Sequence, residues 1–390
     1  MKKLLSVFLI FSLLFALAAC GPKTPPATTG PDATASEETS APGSESANAS
    51  GGTRTITDAL GRKVEIPAEV NKIVALSNVP RMVVYLGLAD RVAGYSGMNP
   101  EGLTPLTAYA YVARDLWADI PIVGTDTGGS TDYYPEEILA AEADVIICSY
   151  TGDVVKNLET QTGIPVVSVA MGNLFEEDYN ESLRTIAEIC GVEDRAEAVI
   201  AYIDSCLDDL NHRTATIPDA DKPTALSAAA TFKGAHGIEG IRIKDQVFTA
   251  VNAINVGSQD VAGDNSTAVE VDKEQILAWN ADYIFCDYGG VQLVQQDVEA
   301  NPDFYAQLKA YNDGHIYQYP SSTSYYSNLE ISLANCYFVG SVLYPEQFAD
   351  IDLNSKANEI FNFFLGADDY MSILNEYGAG YDPIDFGNKR

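Results

Sequence analysis

Positive charge is scarce in this chain: 23 Lys and Arg stand against 55 Asp and Glu over 390 residues, a formal net charge of −32. Affinity for polyphosphate rests on clustered Lys and Arg, so nucleic acid is excluded as a partner. Histidine is scarcer still, and His212, His236 and His315 lie far apart. No cluster of imidazoles or thiolates stands at ligand spacing, so neither a bare metal ion nor any other resident cofactor is expected. Six cysteines in so long a chain do not make a disulfide scaffold. No apolar run reaches the roughly 20 residues that span a bilayer. Gly-x-Ser-x-Gly, His-Glu-x-x-His and Gly-x-x-x-x-Gly-Lys-Ser/Thr are absent too, so no catalytic residue is assigned and the chain is not read as an enzyme.

What is present begins at the N-terminus. Met1-Lys2-Lys3 precedes an apolar run from Leu4 to Leu17 and then Ala18-Ala19-Cys20-Gly21, the layout of an export signal. Leu17-Ala18-Ala19-Cys20 resembles a bacterial lipobox, in which the Cys20 thiol is diacylated and becomes the first residue after cleavage. The alternative is an ordinary leader with a chance cysteine. Two acyl chains anchor stably where one is marginal. From Gly21 to Gly52 the chain is Pro, Thr, Ser, Ala, Gly and acids, which bury nothing to offset their entropy. A flexible tether of this length spans roughly 30 Å. The expected plan is a signal peptide over 1–19, lipidated Cys20 and tether over 20–53, and a folded part from 54, held on the extracytoplasmic side of the cell membrane. Cys148, Cys190, Cys206, Cys286 and Cys336 sit within apolar patterns and read as buried free thiols, not as a reactive or intermolecular pair.

An internal repeat divides the rest. Glu136 to Cys148 recurs as Glu274 to Cys286, with Glu, Ile, Leu, Ala, Ala, Asp, Ile and Cys in matching places. Each copy reads as a short helix with an acidic start, then a turn and a buried strand. Strands are expected at Ile73–Leu76, Val92–Tyr95, Val145–Cys148 and Val166–Val169, and again at Ala225–Ala230, Tyr283–Cys286 and His315–Tyr319. Helices are expected at Arg81–Leu88, Lys244–Asn252, Pro302–Tyr311 and Glu330–Leu343. Such alternation predicts two α/β lobes with mostly parallel sheets. At the seam, Ala196, Val199, Ile200, Ile203, Leu207 and Leu210 form one stripe of a helix from Asp194 to about Arg213. A connecting helix is the reading taken; packing within one lobe is the alternative.

Lipobox, tether, the opening Ile56-Thr57-Asp58-Ala59-Leu60-Gly61-Arg62-Lys63-Val64-Glu65-Ile66-Pro67, then Lys72 to Leu76, Leu86 to Gly94 and Glu136 to Cys148 follow in an order that resembles the solute-binding lipoproteins of ABC importers, in the iron-siderophore, haem and cobalamin group. The resemblance implies two lobes, 54–193 and 217–390, joined by one long helix over 194–216, with a ligand cleft between them. It implies a monomer that captures a metal chelate, a ferric siderophore foremost and haem or cobalamin as alternatives, and delivers it to an ABC permease and its ATPase. It further implies that Glu136 and Glu274 pair with permease arginines, although acids at helix N-termini need no such role. An exported hydrolase or a surface receptor on the same scaffold is the alternative.

Ligands of parallel α/β sheets bind beyond the carboxyl ends of the strands. In the loops expected there, Arg81, Lys233, His236 and Arg242 are candidate cations, and Tyr150, Tyr288 and Tyr325 are candidate flat faces for a bulky chelate. Arg81 reads equally as a solvated first-turn residue, His236 as a loop residue in place of a metal ligand, and Tyr325 and Tyr326 as packing. Haem ligation by His236, Met98 or Met171 stays open.

Overall fold

A hairpin opens the fold. β1 (Thr53–Thr57) pairs antiparallel with β2 (Lys63–Pro67), and Gly61 turns the corner at a φ of +74° that a side chain would resist. Ile56, Val64 and Ile66 alternate into the core while their neighbours face water. The computed structural model describes residues 52–98, 100–125, 131–258 and 267–387. The leader, Cys20 and the tether as far as residue 51 lie outside the described residues.

The first half carries β3 (Ile73–Ala75), α1 (Val79–Tyr85), β4 (Val92–Ser96), α2 (Ala108–Ala113), β5 (Ile122–Thr125), β6 (Asp132–Tyr133), α3 (Pro135–Ala140), β7 (Val145–Cys148), α4 (Gly152–Thr162), β8 (Val166–Ser168) and α5 (Glu177–Cys190). Its six-stranded sheet runs β6-β5-β4-β3-β7-β8, parallel except where β6 meets β5. α6 (Glu193–Thr214) then crosses to the second half with Ala196, Val199, Ile200, Ile203 and Leu210 buried.

The second half carries β9 (Thr224–Ala228), β10 (Gly240–Arg242), α7 (Gln246–Ala250), β11 (Ile254–Asn255), β12 (Ala268–Glu270), α8 (Lys273–Trp279), β13 (Tyr283–Asp287), α9 (Tyr288–Ala300), α10 (Pro302–Tyr305), α11 (Lys309–Asp313), β14 (Ile316–Tyr319), α12 (Leu329–Leu343), α13 (Leu353–Leu365), α14 (Tyr370–Glu376) and β15 (Asp382–Pro383). Its five-stranded sheet runs β11-β9-β13-β14-β15, parallel except at β15. The helix expected over Pro302–Tyr311 is two helices. Leu308 is extended between them, buried, and Asn280 accepts the Lys309 N–H at 2.9 Å, which holds the break.

The repeat has a structural logic. Glu142 and Asn280 end their short helices with positive φ, +50° and +41°. Two residues on, Asp144 accepts the N–H groups of Asn71 and Lys72 at 2.7 and 2.9 Å, and Asp282 accepts the N–H and hydroxyl of Thr224, both at 2.8 Å. Each aspartate thereby fixes the start of the repeated strand beside the first strand of its sheet.

α12 is buried on every face, which a helix tolerates only when other elements surround it. It packs on α6, α7 and α13, and α13 reaches back to α1 and α2 of the first half. One apolar cluster therefore runs from α1 through α6 to α14. Cys148, Cys190, Cys206, Cys286 and Cys336 are buried, and no disulfide is formed among the described residues. Among the described residues no helix is long and apolar enough to cross a membrane.

Candidate functional site

In each sheet the strand order reverses at one place, between β3 and β7 and between β9 and β13, and open α/β sheets bind ligands at such points. In the first half the point is filled by serines: the Ser77 and Ser149 hydroxyls lie 2.6 Å apart, and Ser96 Oγ accepts the Ser77 N–H at 2.5 Å. In the second half it is charged. Asp287 ends β13 and is 1% exposed. One of its oxygens accepts the Gly289 N–H at 3.0 Å and starts α9; the other accepts from the Thr231 hydroxyl at 2.7 Å and from the Arg242 guanidinium at 3.0 Å. Arg242 also donates to Thr323 at 3.1 Å. Burial works against its charge, but Asp287, Tyr319 and Asp245 hold its pKa above the ordinary arginine value.

This group floors a cavity of about 890 Å³ between the halves. Thr231, Arg242, Tyr319, Ser322 and Thr323 line it, with Phe232, Val247 and Phe248 as apolar wall, Lys244 and Asp245 beside them, and Gly172 to Leu174 with Glu176 supplied by the first half. Tyr319 is buried and shares a 3.2 Å hydrogen bond with Ser227, and burial first, then Asp245, pushes its phenol pKa up. A second hollow of about 530 Å³ lies by Arg54 and Arg91. Those guanidiniums donate to the last carbonyls of α5, at 2.7 Å to Ile189 and 2.8 Å to Cys190, so that hollow is a helix cap.

Of the residues singled out from the sequence, Arg242 lines the cavity, and the rest are placed around or away from it. Arg81 is 1% exposed on α1; its guanidinium donates to the Tyr325 carbonyl and lies 5.0 Å from the Tyr109 ring and 5.4 Å from that of Tyr326. It ties the first half to the second beneath the cleft, and Tyr325 and Tyr326 hold the loop there with φ of +49° and +68°. Lys233 is exposed at the tip of the turn after Thr231. His236 stacks on Phe232 at 3.9 Å, with its ring nitrogens 2.8 Å from the Phe232 carbonyl and 3.1 Å from Glu270. Tyr150 is buried against Tyr133, and Tyr288 donates at 3.0 Å to the Tyr377 carbonyl. Glu136 and Glu274 are exposed in the first turns of α3 and α8, and neither forms an ion pair among the described residues. No group of three His, Cys, Asp or Glu converges among the described residues.

Sequence reasoning passed over Thr231, Asp245, Asp287 and Thr323. A signal for Asp287 was there: the repeat matches at Cys148 and Cys286 and again at Tyr150 and Tyr288, and the one difference between them is Ser149 against Asp287.

The Arg81 seam continues into α12. Glu330 is fully buried, and Tyr85 donates to one of its oxygens. Burial raises its pKa to about 7, against the lowering effects of the Tyr85 hydrogen bond and the Arg81 charge.

Two parallel-rich α/β halves around one shared cavity define a class, proteins that hold a solute between two lobes. Residues 73–323 match the periplasmic binding protein family, and the chain belongs to that family. Among curated relatives, an uncharacterized ABC transporter substrate-binding lipoprotein of Bacillus subtilis, YvrC, is 22% identical over 269 residues, 67% of this chain and 77% of the relative. The molybdate-binding protein MolA of Haemophilus influenzae is 23% identical over 342 residues, covering 80% and 90%. A periplasmic solute binding protein from Veillonella parvula superposes with a TM-score of 0.65 at 21% identity, over 83% of this chain and 96% of that one. By their names the Bacillus relative is a substrate-binding lipoprotein of an ABC transporter and the Haemophilus relative a molybdate-binding protein; the family match makes this chain a periplasmic binding protein.

Proposed function

We propose that the protein is a monomeric, lipid-anchored binding protein that captures a metal chelate, a ferric siderophore foremost, between its halves and hands it to an ABC permease and its ATPase. The observation that carries the reading is the inter-half cavity of about 890 Å³, which matches the volume of small-molecule sites. A bare tetraoxoanion such as the molybdate in MolA's name would leave most of that space empty. Among the described residues lining the cavity there is no His, Cys or Met, so the metal arrives inside its own ligand set. Eight Ser and Thr residues, Thr231, Ser322 and Thr323 among them, outnumber the aromatic faces of Phe232, Phe248 and Tyr319 in the lining, which suits a hydrophilic chelate better than haem or cobalamin. Arg242 is the candidate ligand contact on the floor; Arg81 supports the site from the seam.

Lipidation at Cys20 holds the protein on the extracytoplasmic face, and exposed Glu136 and Glu274 are the candidate permease contacts, one in each copy of the repeat. The test is native mass spectrometry and calorimetry of the processed protein against ferric hydroxamates, catecholates and citrate, haem, cobalamin and molybdate. Sub-micromolar binding of a ferric chelate supports the reading, and binding of none of the chelates overturns it. Glu136→Ala with Glu274→Ala should abolish uptake with chelate affinity intact; unchanged uptake removes the docking assignment.

A further inference from the structure

We infer that the cavity selects chelates of neutral or positive charge, with Asp245 as acceptor for a donor group on the chelate. This rests on the chelate reading above. Asp245 lines the cavity and is 7% exposed. Its Oδ1 accepts the Val247 N–H at 2.9 Å and starts α7, while its Oδ2, also buried, has no hydrogen-bond partner among the described residues. A buried carboxylate oxygen left unpaired is costly, and this one borders the cavity, where a donor group on a ligand can reach it.

Acids outnumber bases around it: Glu176 lines the cavity from the first half and Asp287 lies under the floor paired with Arg242, so that with Asp245 three carboxylates stand against the cations Arg242 and Lys244. The guanidinium of Arg242 is already engaged by Asp287 and Thr323. A multiply anionic complex, such as a ferric tris-catecholate, would meet carboxylates in a poorly solvated space where repulsion is strong. A ferric hydroxamate bearing an ammonium or several N–H groups would instead complete Asp245. The hydroxyls of Thr231, Ser322 and Thr323 donate or accept as the ligand requires and do not oppose this sorting.

The experiment holds coordination constant and varies charge. Calorimetry compares one linear ferric tris-hydroxamate bearing a terminal ammonium with its N-acetylated neutral form and its N-succinylated anionic form. Affinity should fall in that order, by roughly tenfold from the first to the last, the scale of one charge interaction in a partly solvated site. Asp245→Asn keeps the helix start, since Asn caps as well as Asp, and should flatten the series. Glu176→Gln, on an exposed residue, should flatten it less and covers the case in which the Asp245 variant fails to fold. Tightest binding of the anionic form, or an unchanged series in both variants, overturns the charge rule. Binding of catecholate or citrate complexes with no hydroxamate bound overturns it too, with the chelate reading intact. Binding of no chelate at all removes both.

Discussion

The two halves use one supersecondary unit and finish it differently. β7 runs out through Cys148-Ser149-Tyr150 and β13 through Cys286-Asp287-Tyr288. Ser149 meets Ser77 at 2.6 Å and the point of strand reversal is closed by hydroxyls. Asp287 meets Thr231 and Arg242, and that point becomes the polar floor of a cavity. The shared parts, the left-handed helix ends at Glu142 and Asn280 and the strand ties at Asp144 and Asp282, build the scaffold twice. The side chain one step past Cys148 and Cys286 separates a point of reversal closed by hydroxyls from one that floors a cavity.

Making the second half resemble the first should have the largest effect. Asp287→Ser leaves the Arg242 charge buried without its partner, and breaking a buried pair this way costs about 3–5 kcal/mol. The urea midpoint should fall at constant m. Adding Arg242→Met to Asp287→Ser removes the stranded charge, so the double variant should recover most of the stability yet lose chelate affinity.

Next in size is the seam that couples the halves. Glu330 titrates at about 7 in the folded protein, raised by burial from about 4.5. A raised carboxyl pKa means that between the two values the folded state holds a proton the unfolded state has released, so stability is full below about 4.5, falls as pH rises through about 7 and is level above it. Two to three pKa units correspond to about 3 kcal/mol. Glu330→Gln should therefore be more stable than the parent at pH 8, with the gap closing by pH 4, read from melting temperatures across that range.

Smaller effects are expected at the strand ties. Asp144→Ala removes two hydrogen bonds to a partly exposed carboxylate, about 1–2 kcal/mol, and Asp282→Ala, which removes two equivalent bonds and the Lys309 ammonium contact at 2.5 Å, should cost at least as much. Ser149→Ala should be the mildest, about 1 kcal/mol, with chelate affinity unchanged. A Ser149→Ala variant as damaging as Asp287→Ser would erase the contrast between the halves.

Most of the scaffold was legible because it is written in local patterns. Continuous apolar runs marked Val145–Cys148 and Tyr283–Cys286, and the 3.6-residue stripe marked α6. Arg242 was legible as a cation near a strand end. Arg81 and Tyr288 were not placed, because loop membership does not say which way a side chain points: Arg81 turns inward under Tyr325, and Tyr288 starts a helix that aims its ring at Tyr377. Asp287 was overlooked because an acid in a chain with 55 of them draws no notice until its buried partner is known. The break at Leu308 depends on Asn280 from another element, which no window around Pro302–Tyr311 contains.

Anomalous diffraction at the iron edge, from crystals of the processed protein grown with the tightest-binding ferric chelate, locates the metal directly. One iron site is expected, inside the cavity bounded by Thr231, Arg242 and Thr323 and by Gly172 to Glu176. An iron site beside Ser77 and Ser149, or on the outer surface with the cavity unfilled, would contradict it.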